Sequence, residues 1–232
     1  MCNLYNNIYE ALTLNDGYKL IFNGINNTLF ITTLATFIGI ILGSIIAVIK
    51  VYSYKNKTMY ILGKLCDIYL AFIRGTPVLI QLLIMYNIIF VSATSKQATL
   101  IVAILTFGIN SSAYVAEIIR SGISSIDIGQ REAGLSLGLS EYKTLILIIF
   151  PQAIKNILPA LFNEFIQLVK ETSVAGYIGV EDLTRISDII KSQTYEPTGP
   201  LVIVATIYFI IVFFLSKLLK YLERRLKQSD RS

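Results

Sequence analysis

Few side chains in this chain are equipped for covalent chemistry. None of its 232 residues is His, which removes the commonest general base and the commonest metal ligand. Cys2 and Cys66 stand far apart, so neither a disulfide framework nor a zinc site is indicated. There is no Ser/His/Asp or Cys/His set, and no GxxxxGK[ST] string to cradle a phosphate. What remains is a polar stripe in an apolar setting. Asn156, Ala160, Asn163/Glu164, Gln167 and Lys170/Glu171 recur every three to four residues, which is one face of a helix. Groups of this kind do non-covalent work, a carboxylate for a cation and amides for hydrogen bonds. Two readings are open. The stripe lines a path for a polar solute, or Glu164 pairs with a Lys or Arg to hold helices together.

The elements that must position the stripe are membrane helices. Hydrophobic residues make up 54% of the chain and charged ones only 15%. A crossing helix needs about 20 mainly apolar residues. Four uncharged runs reach that length, at 20–49, 75–95, 97–116 and 197–216. A fifth candidate, 156–169, contains Glu164 and is flanked by Lys155 and Lys170. A carboxylate at the centre of a bilayer costs about 2.5–3.5 kcal/mol or more, so the stripe is expected to face protein or a water-filled cavity. The charges between the runs decide the count, because Lys and Arg collect on the cytoplasmic side. With five crossings and the N-terminus outside, segments 50–74 and 117–155 and the C-terminal tail fall inside. These hold 15 of the 20 basic residues. With four crossings the basic tail would lie outside. The expectation is an all-α polytopic membrane protein with five crossings, N-terminus out and C-terminus cytoplasmic. Residues 1–19 would be extracytoplasmic, 20–226 one transmembrane domain and 227–232 a cytoplasmic tail.

Several local patterns refine this. Ala35, Gly39, Gly43 and Ala47 form a face of small residues, suited to close helix approach. It serves either packing within the chain or a dimer contact. Pro77 and Gly75 predict a kink or helix start in the second crossing. The mixed segment before it reads as an interfacial helix or an inner extension of that crossing. Arg74 there is either an interfacial cation or part of a gate. Asn110, Ser111 and Ser112 should hydrogen-bond to neighbouring helices, and Glu117 and Arg120 share a face and can pair. Pro151 and Pro159 place the start of the fourth crossing near Pro159. Beyond it, Leu183, Ile186, Ile189 and Ile190 predict an amphipathic helix on the outer surface. The basic C-terminal end suits anionic lipid headgroups.

One cytoplasmic stretch carries a spaced signature. Glu132, Ala133 and Gly134 are followed after three residues by Gly138, and then by Ile148, Phe150 and Pro151. With "FIRGTPVLIQLLIMY" and "PQAIKNILPALFNEFIQLVKETS", this resembles the membrane (permease) subunit of bacterial ABC importers of the polar-amino-acid uptake family. Two departures are visible, Gly134 for a second Ala and Phe150 for Leu. The first should weaken the local helix by about 1 kcal/mol.

The resemblance implies the five-helix core of type I importer permeases in the bacterial cytoplasmic membrane, surrounded by lipid. Two permease subunits, identical or related, would form the translocation pathway. An extracytoplasmic substrate-binding protein would deliver a polar or charged amino acid. Two copies of a separate ABC ATPase subunit would bind ATP-Mg, with no cofactor in this chain and no nucleic acid as partner. The signature loop, about 120–151, would form two short helices near 128–137 and 141–149, bent at Gly138. Glu132, Ala133, Gly134, Leu135, Leu137, Gly138 and Leu139 would couple to the ATPase. Leu135, Leu137 and Leu139 are odd on a solvated loop and sensible against a partner surface. Asn163, Glu164, Gln167 and Lys170 would line the substrate pathway. The competing reading is a secondary transporter driven by an ion gradient. Such folds usually show repeated halves, and no internal repeat is found here.

Overall fold

The computed structural model describes residues 2–53, 57–92 and 95–228, with side chains from residue 5 to residue 226. Lys55, Arg231 and most of the tail expected at 227–232 lie outside the described residues. Within them every regular element is helical. In chain order these are α1 (Cys2–Thr13), α2 (Gly17–Tyr52), α3 (Lys57–Gly75), α4 (Val78–Ile84), α5 (Lys96–Ser124), α6 (Ile128–Ser136), α7 (Glu141–Thr144), α8 (Phe150–Glu171), α9 (Leu183–Thr194) and α10 (Thr198–Gln228). A wide π turn, Met85–Ile89, prolongs α4; another, Leu145–Ile149, joins α7 to α8; a 3₁₀ turn, Thr172–Ile178, follows α8.

Four helical stretches are long and apolar enough to cross a membrane: Tyr5–Tyr52, Lys96–Ser124, Glu141–Ile178 and Thr198–Leu226. A fifth crossing comes from a broken pair, Lys57–Gly75 and Val78–Ile89, bent by 106°. Packing direction explains why this pair must cross. Gly39 of α2 lies against Ser111 of α5, and Gly43 against Ser112 and Val115, so both helices run the same way. The chain therefore returns to its starting side between them, and only α3 and α4 are available. Val78–Ile89 alone rises roughly 18 Å, short of a hydrocarbon core of about 30 Å, so α3 supplies the rest. Of the two readings of the segment before residue 75, this favours an extension of the second crossing, from Lys57. The break sits at Pro77, whose extended backbone (φ −63°, ψ 135°) opens α4. α8 runs antiparallel to α5, with Ile157 against Gly122 and Glu164 beside Ser111. α10 starts beside α1, where Gly199 meets the Asn7 carbonyl.

The α2–α5 seam is the densest part of the core. Cβ atoms built at Gly39 and Gly43 would come within 2.9 Å of Ser111 Oγ and 2.7 Å of Val115 Cβ, and one at Gly108 within 2.8 Å of Ile38. Small residues bring the two backbones together, which maximises dispersion contact where lipid offers no hydrophobic drive. Ala35, Val102, Ala103 and Phe107 fill the seam and are fully buried.

One expectation needs correction. α8 does not begin near Pro159; it runs through that residue, in a helical stretch that starts at Glu141. A proline inside a membrane helix removes one hydrogen bond, and neighbouring helices make this tolerable. Pro151 falls in the first turn of α8, just past the π turn, where a missing N–H is least costly. α9 is the amphipathic helix expected beyond α8, with Arg185, Asp188 and Lys191 exposed and its apolar face covered by the chain itself. Leu183, Ile186 and Ile190 are buried with Ala11, Ile21 and Val204, and Gly24 of α2 leaves room for Ile186. Asp182 caps α9, accepting from the N–H groups of Thr184 (2.9 Å) and Arg185 (3.0 Å). Burial pushes its carboxyl up to about 6.

Candidate functional site: a polar belt and a docking loop

Three consecutive polar residues of α5 each reach a different helix. Asn110 Nδ2 donates to Gln81 Oε1 of α4 at 2.9 Å. Ser111 Oγ donates to Glu164 Oε1 of α8 at 2.9 Å. Ser112 Oγ shares a 2.6 Å hydrogen bond with Tyr69 of α3, whose hydroxyl also donates to the Ile109 carbonyl. Successive helix positions point about 100° apart, so three in a row can serve three neighbours. The hydrogen bonds expected of Asn110, Ser111 and Ser112 are thus made. Gln81 and Tyr69, their partners, were not singled out from sequence. The available signal was an amide four residues past Pro77 in an otherwise apolar run.

The partner of Glu164 among the described residues is a hydroxyl rather than a Lys or Arg. Glu164 is half-buried, whereas Asn163, Gln167 and Lys170 are exposed. The buried face of α8 is instead Ala153, Ile157, Ile166, Leu168 and Val169. The structure therefore brings only Glu164 to the chain's own core and leaves the other three along an outer polar edge.

Towards the ends where α2 and α5 finish, a charged cluster borders a cavity of about 830 Å³. Glu117 accepts from Arg120 of its own helix and lies 3.9 Å from Arg74 Nη1 of α3. Arg74 also lies over the Tyr114 ring, 6.0 Å from its centre. Lys50 and Asp67 pair across α2 and α3. Exposed pairs of this kind contribute little individually, so Arg74 is placed by the cluster as a whole.

The signature loop folds as a helical hairpin. Asp127 caps α6 and Ser140 caps α7. Gly138 adopts φ +81°, a left-handed value that disfavours a side chain. Its N–H donates to the Leu135 carbonyl, and that of Leu139 to the Gly134 carbonyl. Gly134 is buried, and a Cβ there would lie 2.7 Å from Thr144 Cγ2 and 2.9 Å from Ile148 Cδ1. The departure from Ala thus accompanies a close approach of α6 to the following helix. Arg131 grips Glu141 with two donors, at 2.6 and 3.2 Å. Glu132 and Ala133 are exposed, and Leu139 is half-buried. Leu135 is 38% exposed and Leu137 81%, which leaves an apolar surface at the tip.

Residues 39–228 match the family described as the inner membrane component of binding-protein-dependent transport systems. The chain belongs to that family. It is therefore a multi-pass permease of the inner membrane, working in a system that depends on a binding protein. It is 36% identical over 210 residues to the arginine transport system permease protein ArtQ of Bacillus subtilis, covering 90% of this chain and 94% of that one. It is 34% identical over 209 residues to the glutamine transport system permease protein GlnP of Escherichia coli K12, covering 90% and 93%. A crystal structure of an amino acid ABC transporter with histidines superposes with a TM-score of 0.85 at 43% identity, covering 92% of this chain and 97% of that one. The importer reading therefore stands over the ion-gradient transporter.

Proposed function

We propose that this permease is the transmembrane subunit of an ATP-driven importer for a polar or charged L-amino acid, and that it forms half of the pathway. The outer polar edge of α8 carries this reading. Asn163, Gln167 and Lys170 are exposed in a single chain, although they lie in an apolar stretch of 38 residues. Amides and an ammonium facing hydrocarbon are costly, so this edge meets a second permease subunit or a water-filled path. A pathway between two such subunits, identical or related, meets both needs. Glu164, at the boundary of that edge, is placed to attract the ammonium of an amino acid or a cationic side chain. The similarity to ArtQ and GlnP supports the substrate class.

The basic ends of α2, α5 and α10 favour a cytoplasmic location, with the N-terminus outside. The α6–α7 hairpin then faces a separate ATPase, two copies per complex, which holds ATP-Mg. Glu132, Ala133 and Gly134 lie on α6, Gly138 makes the bend, and Leu135, Leu137 and Leu139 provide the contact. Because α7 leads through the π turn into α8, movement of the hairpin is carried to Glu164. An extracytoplasmic binding protein delivers the solute.

The test is reconstitution with the ATPase and binding protein in proteoliposomes. Uptake of radiolabelled L-arginine or L-glutamine that needs ATP is the expected result. Uptake that survives an inactivated ATPase overturns it. Glu164→Gln keeps an acceptor for Ser111 and removes the charge, and is expected to raise KM about tenfold, the size of one charge-assisted contact.

A further inference from the structure

Among the described residues the second crossing is the one broken span, and one side chain is central to the break. Ending α3 at Gly75 and starting α4 at Val78 leaves the last carbonyls of α3 without helical donors. Within a bilayer water does not reach such groups, and protein must satisfy them. Thr76 Oγ1 donates back to the Phe72 carbonyl at 2.8 Å. Gln81 takes another, together with the carbonyl and hydroxyl of Thr76 in the break itself. The two hydrogens of its Nε2 are shared among the carbonyl of Ile73 (2.8 Å), the carbonyl of Thr76 (3.1 Å) and the Thr76 hydroxyl (2.8 Å). Its Oε1 accepts from Asn110 Nδ2 of α5. Gln81 and Asn110 are 7% and 2% exposed.

Gln81 is therefore an amide used at both ends. The nitrogen sets α4 against the end of α3, and the oxygen ties both to α5. Other side chains do not reproduce this. Glu has no donor when ionised, Leu has neither donor nor acceptor, and Asn is one methylene shorter. The same rung of α5 carries Ser111, the partner of Glu164. On the other side of the break, Arg74 and Gly75 belong to the wall of the cavity of about 830 Å³, opposite Tyr114 and Glu117.

We infer that Gln81 is a positioning residue for translocation: it holds the 106° break of the second crossing and so sets the cavity wall that Arg74 and Gly75 provide. This deepens the importer reading and rests on it.

The test uses the complex of permease, ATPase and binding protein, with Cys2 and Cys66 replaced by Ser. Spin labels at residues 68 and 88, where Ile68 and Ile88 are 67% and 69% exposed, report the angle across the break. Uptake of L-arginine and L-glutamine, normalised to assembled complex, reports KM and maximal rate. Gln81→Leu is expected to broaden the distance distribution and raise KM about tenfold, with the maximal rate changed less than about twofold. Gln81→Glu keeps the size and the acceptor for Asn110 but loses the donors, and carries the test if Gln81→Leu does not assemble. Asn110→Ala removes only the contact to Oε1 and leaves those of Nε2, so both effects should be smaller. An unchanged distance distribution overturns the inference. So does a broadened one with unchanged KM, since a scaffold role alone would give that. If the unsubstituted complex takes up neither amino acid, the importer reading fails for these substrates, and the spin-label distance alone decides whether Gln81 holds the break.

Discussion

The α2–α5 seam and the α6–α7 hairpin use glycine in similar ways and end in different states. In the seam, Gly39, Gly43 and Gly108 bring two backbones together, and Ala35, Ala103, Phe107 and Val115, which meet there, are buried. In the hairpin, Gly134 allows an equally close approach to Thr144 and Ile148, yet Leu137 beside it stays 81% exposed. The seam is finished within one chain. The hairpin is packed on its inner side only, and its exposed leucine carries the proposed contact with the ATPase. Stability and docking are thereby separated, and substitutions should separate them too.

The largest effect is expected in the seam. Gly43→Leu would drive a side chain into the Ser112 carbonyl and Val115, both 2.7 Å from the first added atom. Backbone cannot yield as a flexible side chain can, so a loss of about 3 kcal/mol or more is expected. The thermal unfolding midpoint of the purified permease should fall steeply. A midpoint within a degree of the unsubstituted chain would mean that α2 and α5 do not pack this closely.

Leu137→Asp should do the opposite. The isolated permease keeps its unfolding midpoint, because the side chain touches little of its own chain. Co-purification of the ATPase should drop by about tenfold or more, as for a buried apolar anchor replaced by a charge. Undiminished ATPase recovery would remove Leu137 from the docking surface.

Gly138→Ala is intermediate. A side chain at φ +81° costs about 1 kcal/mol, with open space around it. A small loss of stability and a several-fold loss of ATP hydrolysis stimulated by the binding protein are expected. Equal activity would show that the bend tolerates reshaping.

The last contrast concerns Asp182, which belongs to neither region and serves as a control at the other end of the bundle. Its carboxyl titrates near 6 in the folded chain, against an ordinary value of 3.8. The folded state holds the extra proton between those values, so this contribution to stability is present below about 3.8 and is lost as pH rises through about 6. Asp182→Asn keeps a good cap without the buried charge. Its unfolding midpoint should change less between pH 4 and pH 7 than that of the parent. Identical pH profiles would show that Asp182 does not contribute to the slope.

Much of this molecule was legible one residue at a time. Apolar run length implied the helices, and basic residues chose five crossings over four. Small residues every four positions marked α2 for close packing, whereas the hairpin with its bend at Gly138 was implied by the family resemblance of the stretch from Glu132 to Pro151. These signals are local, because lipid and backbone geometry act on each segment separately. The sequence by itself also determined that Asn110, Ser111 and Ser112 need partners, since buried polar groups in a bilayer cannot remain alone. Which partners they take was decided only by the tertiary structure. Gln81, Ser111 with Glu164, and Tyr69 with Ser112 are joined across 29, 53 and 43 residues of chain, and helical periodicity carries no information over such distances. For the same reason Pro159 proved compatible with an unbroken helix while Pro77 marks a break of 106°. A proline only removes a donor; the neighbours that compensate for it, such as Gln81, are assembled by the fold.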